Sequence, residues 1–266
     1  MEQSQRENQV FELVALAGEV LLASGAEISR VIDTMQRISA AYGCNQLDCF
    51  VVSNGVLLST GGGGRQYQAK VSHIPLGSSR LDRINSVNQL SREISAGQHT
   101  PEQAYRQLQE IAQMPVRPVW YRSLCCSIGS GAFGYVFGGS ALDAVACGVG
   151  GLLLFLYLQL LVRRRLSKIA LHMSGGALAT LISMALMTLG LGEHLPIIIA
   201  GSVAQLLPGM AFTNAIRDIA DENYISGSVR MLDVILVIVC LASGVYFAGS
   251  LVSSFAGGEL FGTLPL

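Results

Sequence analysis

The residues best suited to bind a ligand or carry a proton lie in one segment at positions 206–231, LLPGMAFTNAIRDIADENYISGSVRM. Four polar residues there have helical spacing and share one face: Asn214, Arg217, Asp218 and Asp221. The planar guanidinium of an arginine can hold a carboxylate. An aspartate at the end of a membrane helix can hold an ammonium group or carry a proton. The pattern predicts a polar site in which Arg217, with Asn214, meets a carboxylate, and Asp218 or Asp221 holds an ammonium group or couples a proton.

The same segment contains a helix-breaking pair, Pro208 and Gly209, at the end of a hydrophobic stretch. Proline removes one backbone hydrogen bond, and in lipid the freed groups must face protein or a water-filled cavity. Transporters use such breaks to present backbone groups to a substrate. We therefore predict a substrate site at this break, with Gln205 and Thr213 as further contacts. Two alternatives stay open: a kink that only serves packing, and a structural cluster in which Arg217 pairs with a following aspartate.

The other reactive residue types form no recognisable catalytic or metal site. The run GGGGR at 61–65 lacks the lysine and hydroxyl residue of a P-loop, and it indicates a hairpin turn. The four histidines are His73, His99, His172 and His194. None pairs with a cysteine or carboxylate at the spacing of metal ligands, so we expect no metal and no cofactor. Asp233 follows Arg230 by three residues, which predicts an ion pair between these two.

The charged residues are distributed unevenly along the chain. Of 266 residues, 51% are hydrophobic and only 13% are charged, against about 25% charged in a typical soluble domain. Residues 1–122 hold 11 of the 17 Lys and Arg and 11 of the 18 Asp and Glu. The net charge of −1 gives no reason to expect nucleic acid as a partner. The composition predicts a polar N-terminal part and a C-terminal part that a lipid bilayer surrounds.

The C-terminal part offers five segments of about the ~20 residues that a membrane helix needs. We place these spans at about 120–139, 142–162, 168–191, 195–216 and 229–252. All basic residues near the spans fall on the side of the N-terminus: Arg117, Arg122, Arg163, Arg164, Arg165, Lys168, Arg217 and Arg230. The positive-inside rule makes that side cytoplasmic. The first residues lack the features of a signal peptide. We expect a multi-pass protein with a cytoplasmic N-terminus and a C-terminus on the opposite side.

Residues 1–115 read as a small α+β domain in the cytosol. Two amphipathic helices at about 8–24 and 26–42 precede three β-rich runs, and two helices at about 79–96 and 100–114 follow. Thr100, Pro101 and Gln103 form a capping-box pattern at the start of the last helix. The predicted fold is an α-helical integral membrane protein with five transmembrane helices at 116–266, preceded by this domain. In the first span, the pairs Ser127/Gly131 and Gly134/Gly138 predict close helix packing.

Three stretches, at 21–43, 79–94 and 206–231, resemble the N-terminal, larger module of the threonine/serine exporter family. The chain is also similar to the larger subunit of the two-subunit succinate-exporter type. The most specific match has the pattern PG-x₄-NAIRD-x₂-D-x₄-SG-x₂-R and includes Ser226, Gly227 and Arg230; a second match is the turn that carries Glu27, with Arg30 after it. The roles of these five residues do not follow from the resemblance.

The resemblance implies a secondary exporter in the bacterial inner (plasma) membrane that works with a smaller membrane subunit. The implied substrates are small carboxylate metabolites such as threonine, serine or succinate, and a homo-oligomer is left open. Two other hypotheses compete with export. One is a membrane-anchored hydrolase that acts through its cytosolic domain, with a nucleophile such as Cys44, Cys49, Ser53 or Ser59 beside His73. The other is a sensor or scaffold subunit that does not transport.

Overall fold

The computed structural model describes residues 2–44, 47–60, 68–74, 79–162 and 166–255. The glycine-rich run at 61–65 and the basic residues at 163–165 lie outside these ranges, so the turn and the loop that we predicted there stay predictions. The described chain divides into two compact units. Residues 1–115 and 209–232 form the first, here called the N-terminal unit, and residues 116–208 and 233–266 belong to the second, the helical unit.

The N-terminal unit has the predicted order of two helices, a small sheet and two helices. Its elements before residue 115 are α1 (Glu2–Ala23), α2 (Ile28–Ala41), β1 (Leu47–Val52), β2 (Gly55–Thr60), β3 (Gln68–His73), α3 (Leu81–Ser95) and α4 (Pro101–Ala112). It also contains α9 (Gly209–Ala220) and the start of α10 (Tyr224–Phe255). The sequence assigned residues 209–232 to the membrane domain, whereas their contacts group them with residues 1–115. The predicted boundary between a cytosolic and a membrane domain stays a prediction.

The core of this unit forms around α1, whose middle residues are almost completely buried. Leu13, Val14 and Ala17 have no exposed surface, because α1 contacts α2, α3, α4 and β2. The sheet is antiparallel in the order β1-β2-β3. Its alternating pattern buries Val56 and Leu58 and leaves Leu57 between them exposed. The small sheet therefore contributes one apolar face to a core that helices otherwise build.

The helical unit contains α5 (Val119–Val136), α6 (Ala141–Val162), α7 (Lys168–Thr188), α8 (Leu195–Val203), a 3₁₀ turn (Ala204–Leu206) and the rest of α10. Within the described residues, three helices are long and apolar enough to cross a membrane: α6, α7 and α10. The segments Leu195–Leu206 and Gly209–Ala220 add a fourth if they form one bent span. The prediction of a multi-pass membrane protein thus rests on three or four candidate spans.

The predicted first span corresponds to α5, which is not one of these candidates. Its 18 residues include Arg122 and three serines, and these lower its hydropathy. The count of five spans stays a prediction.

The small residues of α5 do allow the close helix packing that their spacing predicts. A Cβ on Gly131 would lie 2.9 Å from the carbonyl oxygen of Ala144 on α6, and the Ser127 hydroxyl donates to the carbonyl of Gly148 at 3.0 Å.

Gly138 has a different role from the one that its spacing predicts. Helix α5 ends before it, and Gly138 has a φ of +91°, the left-handed conformation that commonly ends a helix. Gly134, its predicted interface partner, does lie at the contact with α6, where an added Cβ would be 3.0 Å from the Cβ of Cys147. One member of the pair therefore packs helices and the other ends one.

Candidate functional site

The site begins at the turn between α1 and α2. Gly25 has a φ of +77°, which reverses the chain direction after α1 at little steric cost. Helix α2 begins at Ile28, and Glu27 occupies its N-cap position, but no side-chain hydrogen bond from Glu27 caps the helix. The first backbone N–H groups of a helix have no partner within it. The start of α2 therefore needs an acceptor from elsewhere in the chain.

Asp218 on α9 supplies that acceptor. The backbone N–H of Ile28 donates to Oδ1 of Asp218 at 3.1 Å, across a sequence separation of 190 residues. The Asp218 side chain is completely buried. A negative charge at this position also interacts favourably with the helix dipole of α2. Asp218 thus acts as the N-terminal cap of a helix to which it is not adjacent in sequence.

Arg230 on α10 balances the charge of Asp218. Its Nη1 lies 3.0 Å from Oδ2 of Asp218, and its side chain is 6% exposed. Nη2 of the same guanidinium donates to the carbonyl oxygen of Ala26 at 3.1 Å. A buried charge is tolerated only where a partner and hydrogen bonds compensate it. The pair therefore holds the α1–α2 turn, α9 and α10 together.

Two further residues of α9 contact the same turn. The amide Nδ2 of Asn214 donates to the carbonyl oxygen of Gly25 at 2.9 Å. Arg217 forms a short ion pair with Oε1 of Glu27, and Oε2 of Glu27 lies 3.2 Å from Nε of Arg30. We call this group the motif cluster; its members are Gly25, Ala26, Glu27, Ile28, Arg30, Asn214, Arg217, Asp218 and Arg230. It lies within the N-terminal unit.

The structure brings together six of the residues predicted from the sequence: Glu27, Arg30, Asn214, Arg217, Asp218 and Arg230. Asp221 directly follows the last residue of α9, where its backbone N–H still donates to the carbonyl oxygen of Arg217 at 2.8 Å, and its side chain is exposed. Thr213 is exposed, and its hydroxyl donates to the carbonyl of Gly209 within the helix at 3.1 Å. Three of the four residues of the predicted polar face therefore contact the α1–α2 turn: Asn214, Arg217 and Asp218.

Ser226 and Gly227, the remaining motif residues, are buried at the start of α10. A Cβ on Gly227 would lie 3.0 Å from the carbonyl oxygen of Ala215 and 2.9 Å from the backbone nitrogen of Ile219, both on α9. Only glycine leaves room for this approach without a shift of backbone. Gly227 thus places α10 close enough to α9 for Arg230 to reach Asp218.

The predicted helix break is present at Pro208. The 3₁₀ turn ends at Leu206, Leu207 is extended with φ −68° and ψ 129°, and α9 begins at Gly209. Gln205 lies before the break in the helical unit, where its Nε2 donates to the carbonyl oxygen of Gly151 at 2.7 Å. Gln205 and Pro208 therefore belong to a different unit from the motif cluster.

The helical unit has polar groups of its own near Gln205. The hydroxyls of Ser130 and Ser202 are buried, and neither has a hydrogen-bond partner among the described residues. Ser202 lies against Gly150 and Ser130 against Gly151. The sequence offers Ser202, like Gln205, as a lesser polar candidate within a span, whereas Ser130 is missing from the predicted contacts and only its position within an apolar helix distinguishes it.

The ion pair predicted between Arg230 and Asp233 is wrong. Arg230 pairs with Asp218, while Asp233 accepts hydrogen bonds from Nζ of Lys168, at 2.6 Å for Oδ1. Spacing along one helix does bring Arg230 and Asp233 near each other, but each finds an oppositely charged partner on another helix. Lys168 and Asp233 both lie in the helical unit, so this second pair joins α7 to α10.

A third polar group lies at the N-terminal end of α6. Asp143 accepts hydrogen bonds from the backbone N–H of Ser140 at 2.9 Å, of Glu193 at 2.7 Å and of His194 at 3.0 Å. The ring Nδ1 of His194 lies 2.8 Å from Oδ2 of Asp143, and this hydrogen bond raises the pKa of His194. Asp143, Glu193 and His194 offer ligand atoms within 4.8 Å of one another. The sequence analysis did not predict this grouping, because Asp143 lies 50 and 51 residues before Glu193 and His194.

Ser59, one of the nucleophiles considered for a hydrolase, does not come together with His73. In the sheet, His73 is opposite Gly55, whereas Ser59 is opposite Ala69. Four residues along a strand correspond to roughly 13 Å. Burial raises the pKa of the Cys49 thiol to about 11, which keeps it protonated and unreactive. Among the described residues, the sheet therefore offers no nucleophile–base pair with Ser59 or Cys49.

Comparison with known proteins gives the family. The sequence model of the threonine/serine exporters (ThrE) matches residues 12–252. A threonine/serine exporter of Corynebacterium glutamicum is 25% identical over 248 residues, which cover 89% of this chain and 50% of that relative. The chain thus spans about half the length of the curated relative, and no solved structure matches it. Because the family model covers most of the sequence, including the whole motif cluster, the chain belongs to the threonine/serine exporter family.

Proposed function

We propose that this chain is one subunit of a secondary exporter that moves small carboxylate metabolites across the bacterial inner membrane. Its substrates are threonine, serine or a succinate-like dicarboxylate, and its partner is a smaller membrane subunit of the same family. The observation that carries the proposal is that residues of the family motifs, which are far apart in sequence, contact one another in the motif cluster. Membership of a transporter family and the candidate apolar spans support it.

In this proposal, Arg217 and Asn214 bind the substrate carboxylate. The Arg217 side chain is 47% exposed, so a solute can reach it, and its guanidinium already binds a carboxylate of the protein. Asn214, one helical turn away, already donates to the carbonyl oxygen of Gly25, so in this proposal its second amide N–H serves the substrate. The Pro208–Gly209 break precedes this part of α9, and the first N–H groups of a helix have no partner within it and favour an anion.

Asp218 is the stronger candidate for proton coupling and Asp221 the weaker. Asp218 is buried and paired with Arg230, so a proton on its carboxyl group would remove the charge that holds Arg230 and weaken the cap on Ile28. Asp221 is exposed, and a proton there would change few contacts. A proton taken up by Asp218 would therefore alter the contact between the α1–α2 turn and α9.

Export can be tested in cells that lack other exporters of these metabolites. We expect co-expression with the smaller subunit to lower the intracellular threonine, serine or succinate, and Arg217→Ala to abolish the effect. The matched control is Arg37→Ala, which removes an exposed arginine that pairs with Asp33 within α2. Unchanged levels of every candidate would refute export, whereas normal export by Arg217→Ala would refute only the site.

A further inference from the structure

Glu27 is unusual for a residue at the start of a helix. Its side chain is 13% exposed, and its position would allow it to accept from the free N–H groups of α2. Asp218 takes that role instead. The carboxylate of Glu27 points to two arginines, with Oε1 on Arg217 and Oε2 at 3.2 Å from Arg30. Glu27 is thus a carboxylate held between two guanidinium groups.

Both arginines remain accessible from solvent while Glu27 fills the space between them. The Arg217 side chain is 47% exposed and that of Arg30 is 62% exposed. We propose that Glu27 is an internal competitor, which occupies the carboxylate position of the substrate until a free carboxylate replaces it. This inference rests on the proposed function, in which Arg217 binds the substrate carboxylate.

The surrounding contacts allow such an exchange without loss of the fold. The Glu27 side chain is 13% exposed, but both of its arginine partners reach solvent. Solvent screening of such a pair limits its contribution to less than about fivefold in an equilibrium constant. The buried contacts of Asp218 with Arg230 and Ile28 do not include Glu27. Replacement of Glu27 on Arg217 therefore breaks neither the ion pair between Asp218 and Arg230 nor the hydrogen bond from Ile28.

The two arginines also define the chemistry of the ligand. A carboxylate that replaces Glu27 leaves both guanidinium groups without their protein partner. A dicarboxylate can neutralise both, whereas a zwitterionic amino acid brings an ammonium group that two arginines repel. The proposed ligand is therefore a small carboxylate anion. Comparing succinate with threonine distinguishes a dicarboxylate from an amino acid as the source of that carboxylate.

The test compares Glu27→Gln with Asp33→Asn, since each removes one negative charge from the α2 region. Asp33 is exposed and pairs with Arg37 outside the motif cluster. Binding of succinate and threonine to the purified full chain with its partner subunit is measured by titration calorimetry, and export is measured as KM and maximum rate in proteoliposomes. We expect Glu27→Gln to lower Kd and KM about two- to fivefold, and Asp33→Asn to change neither.

The possible outcomes separate the two proposals. Unchanged or weaker binding in Glu27→Gln would overturn the role of Glu27, even if the protein exports normally. Tighter binding without any export flux would support Glu27 as competitor and refute the proposed transport. Arg30→Gln is expected to weaken succinate binding more than threonine binding. An equal effect on both ligands, or tighter binding in Glu27→Gln that persists in Arg217→Ala, would contradict competition at these arginines.

Discussion

Replacement of Asp218 tests the central contact of the motif cluster most directly. In Asp218→Asn, the amide keeps an oxygen that can accept from Ile28, but Arg230 loses its counter-charge in a site where its side chain is 6% exposed. Loss of one partner of a buried ion pair costs about 3–5 kcal/mol. We expect Asp218→Asn to lower the free energy of unfolding by about 3 kcal/mol, because the remaining hydrogen bond to Ile28 offsets part of the loss.

The measurement is thermal unfolding of the detergent-solubilised protein, followed by circular dichroism at the helical band. For a chain of this size, about 3 kcal/mol corresponds to a Tm lower by roughly 6–12 °C. Asp33→Asn is the control, because its partner Arg37 is 44% exposed and such pairs contribute less than about 1 kcal/mol. The double variant Asp218→Asn with Arg230→Met removes both charges, so we expect it to be more stable than Asp218→Asn alone.

Two results would refute this reasoning. A Tm of Asp218→Asn within about 2 °C of the Asp33→Asn value would mean that Arg230 reaches solvent. Additive losses in the double variant would mean that Asp218 and Arg230 do not interact. In either case the motif cluster could not hold α2 by the contacts described.

Other positions give further tests. A Cβ on Gly244 would approach backbone atoms of α7, at 3.0 Å for the nearest nitrogen, whereas a Cβ on Gly129 would meet nothing within 4 Å. We therefore expect Gly244→Ala to lower the Tm and Gly129→Ala to raise it slightly. Thr100→Ala removes a capping box and should cost about 1 kcal/mol in denaturant titrations. The hydrogen bond to Asp143 raises the pKa of His194. The interaction of protonated His194 with Asp143 therefore stabilises the fold fully below about pH 6.5, and this stabilisation is lost as pH rises through the folded-state pKa of His194. His194→Gln should remove that part of the pH dependence of the Tm.

The elements that could be predicted from the sequence are those that depend on nearby residues. The capping box joins Thr100 to Gln103, three positions later, and both of its hydrogen bonds are present. The helix break at Pro208 follows from the chemistry of proline itself. The exposed and buried residues of β2 alternate as its pattern indicates. Each of these features is decided within one turn of helix or one strand.

The pairing of charges could not be predicted in the same way. Spacing placed Arg230 with Asp233 and offered Arg217 a following aspartate, yet Arg230 pairs with Asp218 and Arg217 pairs with Glu27. A helix offers each charged residue several neighbours at similar spacing, and packing against other helices decides which one is used. The residues of the site could be named from the sequence, but their partners could not.

The contact between Asp218 and Ile28 illustrates the limit most clearly. It joins atoms that are 190 residues apart, and nothing in the local sequence of α2 shows that its cap comes from α9. Asp143 and His194 repeat the problem at a separation of 51 residues. The family resemblance had linked the segments around Glu27 and Asp218 as motifs without giving a reason, and the contacts now supply one.

The contacts of Asn214 and Arg230 with the α1–α2 turn have a consequence for how sequences of this family can diverge. Both side chains bind carbonyl oxygens, of Gly25 and Ala26, and every amino acid carries such an oxygen. Ala26 is 4% exposed, so its position excludes bulk but demands no particular functional group. Substitutions among small residues should therefore be neutral at position 26, whereas a change at Asn214 or Arg230 removes a donor that the turn cannot replace.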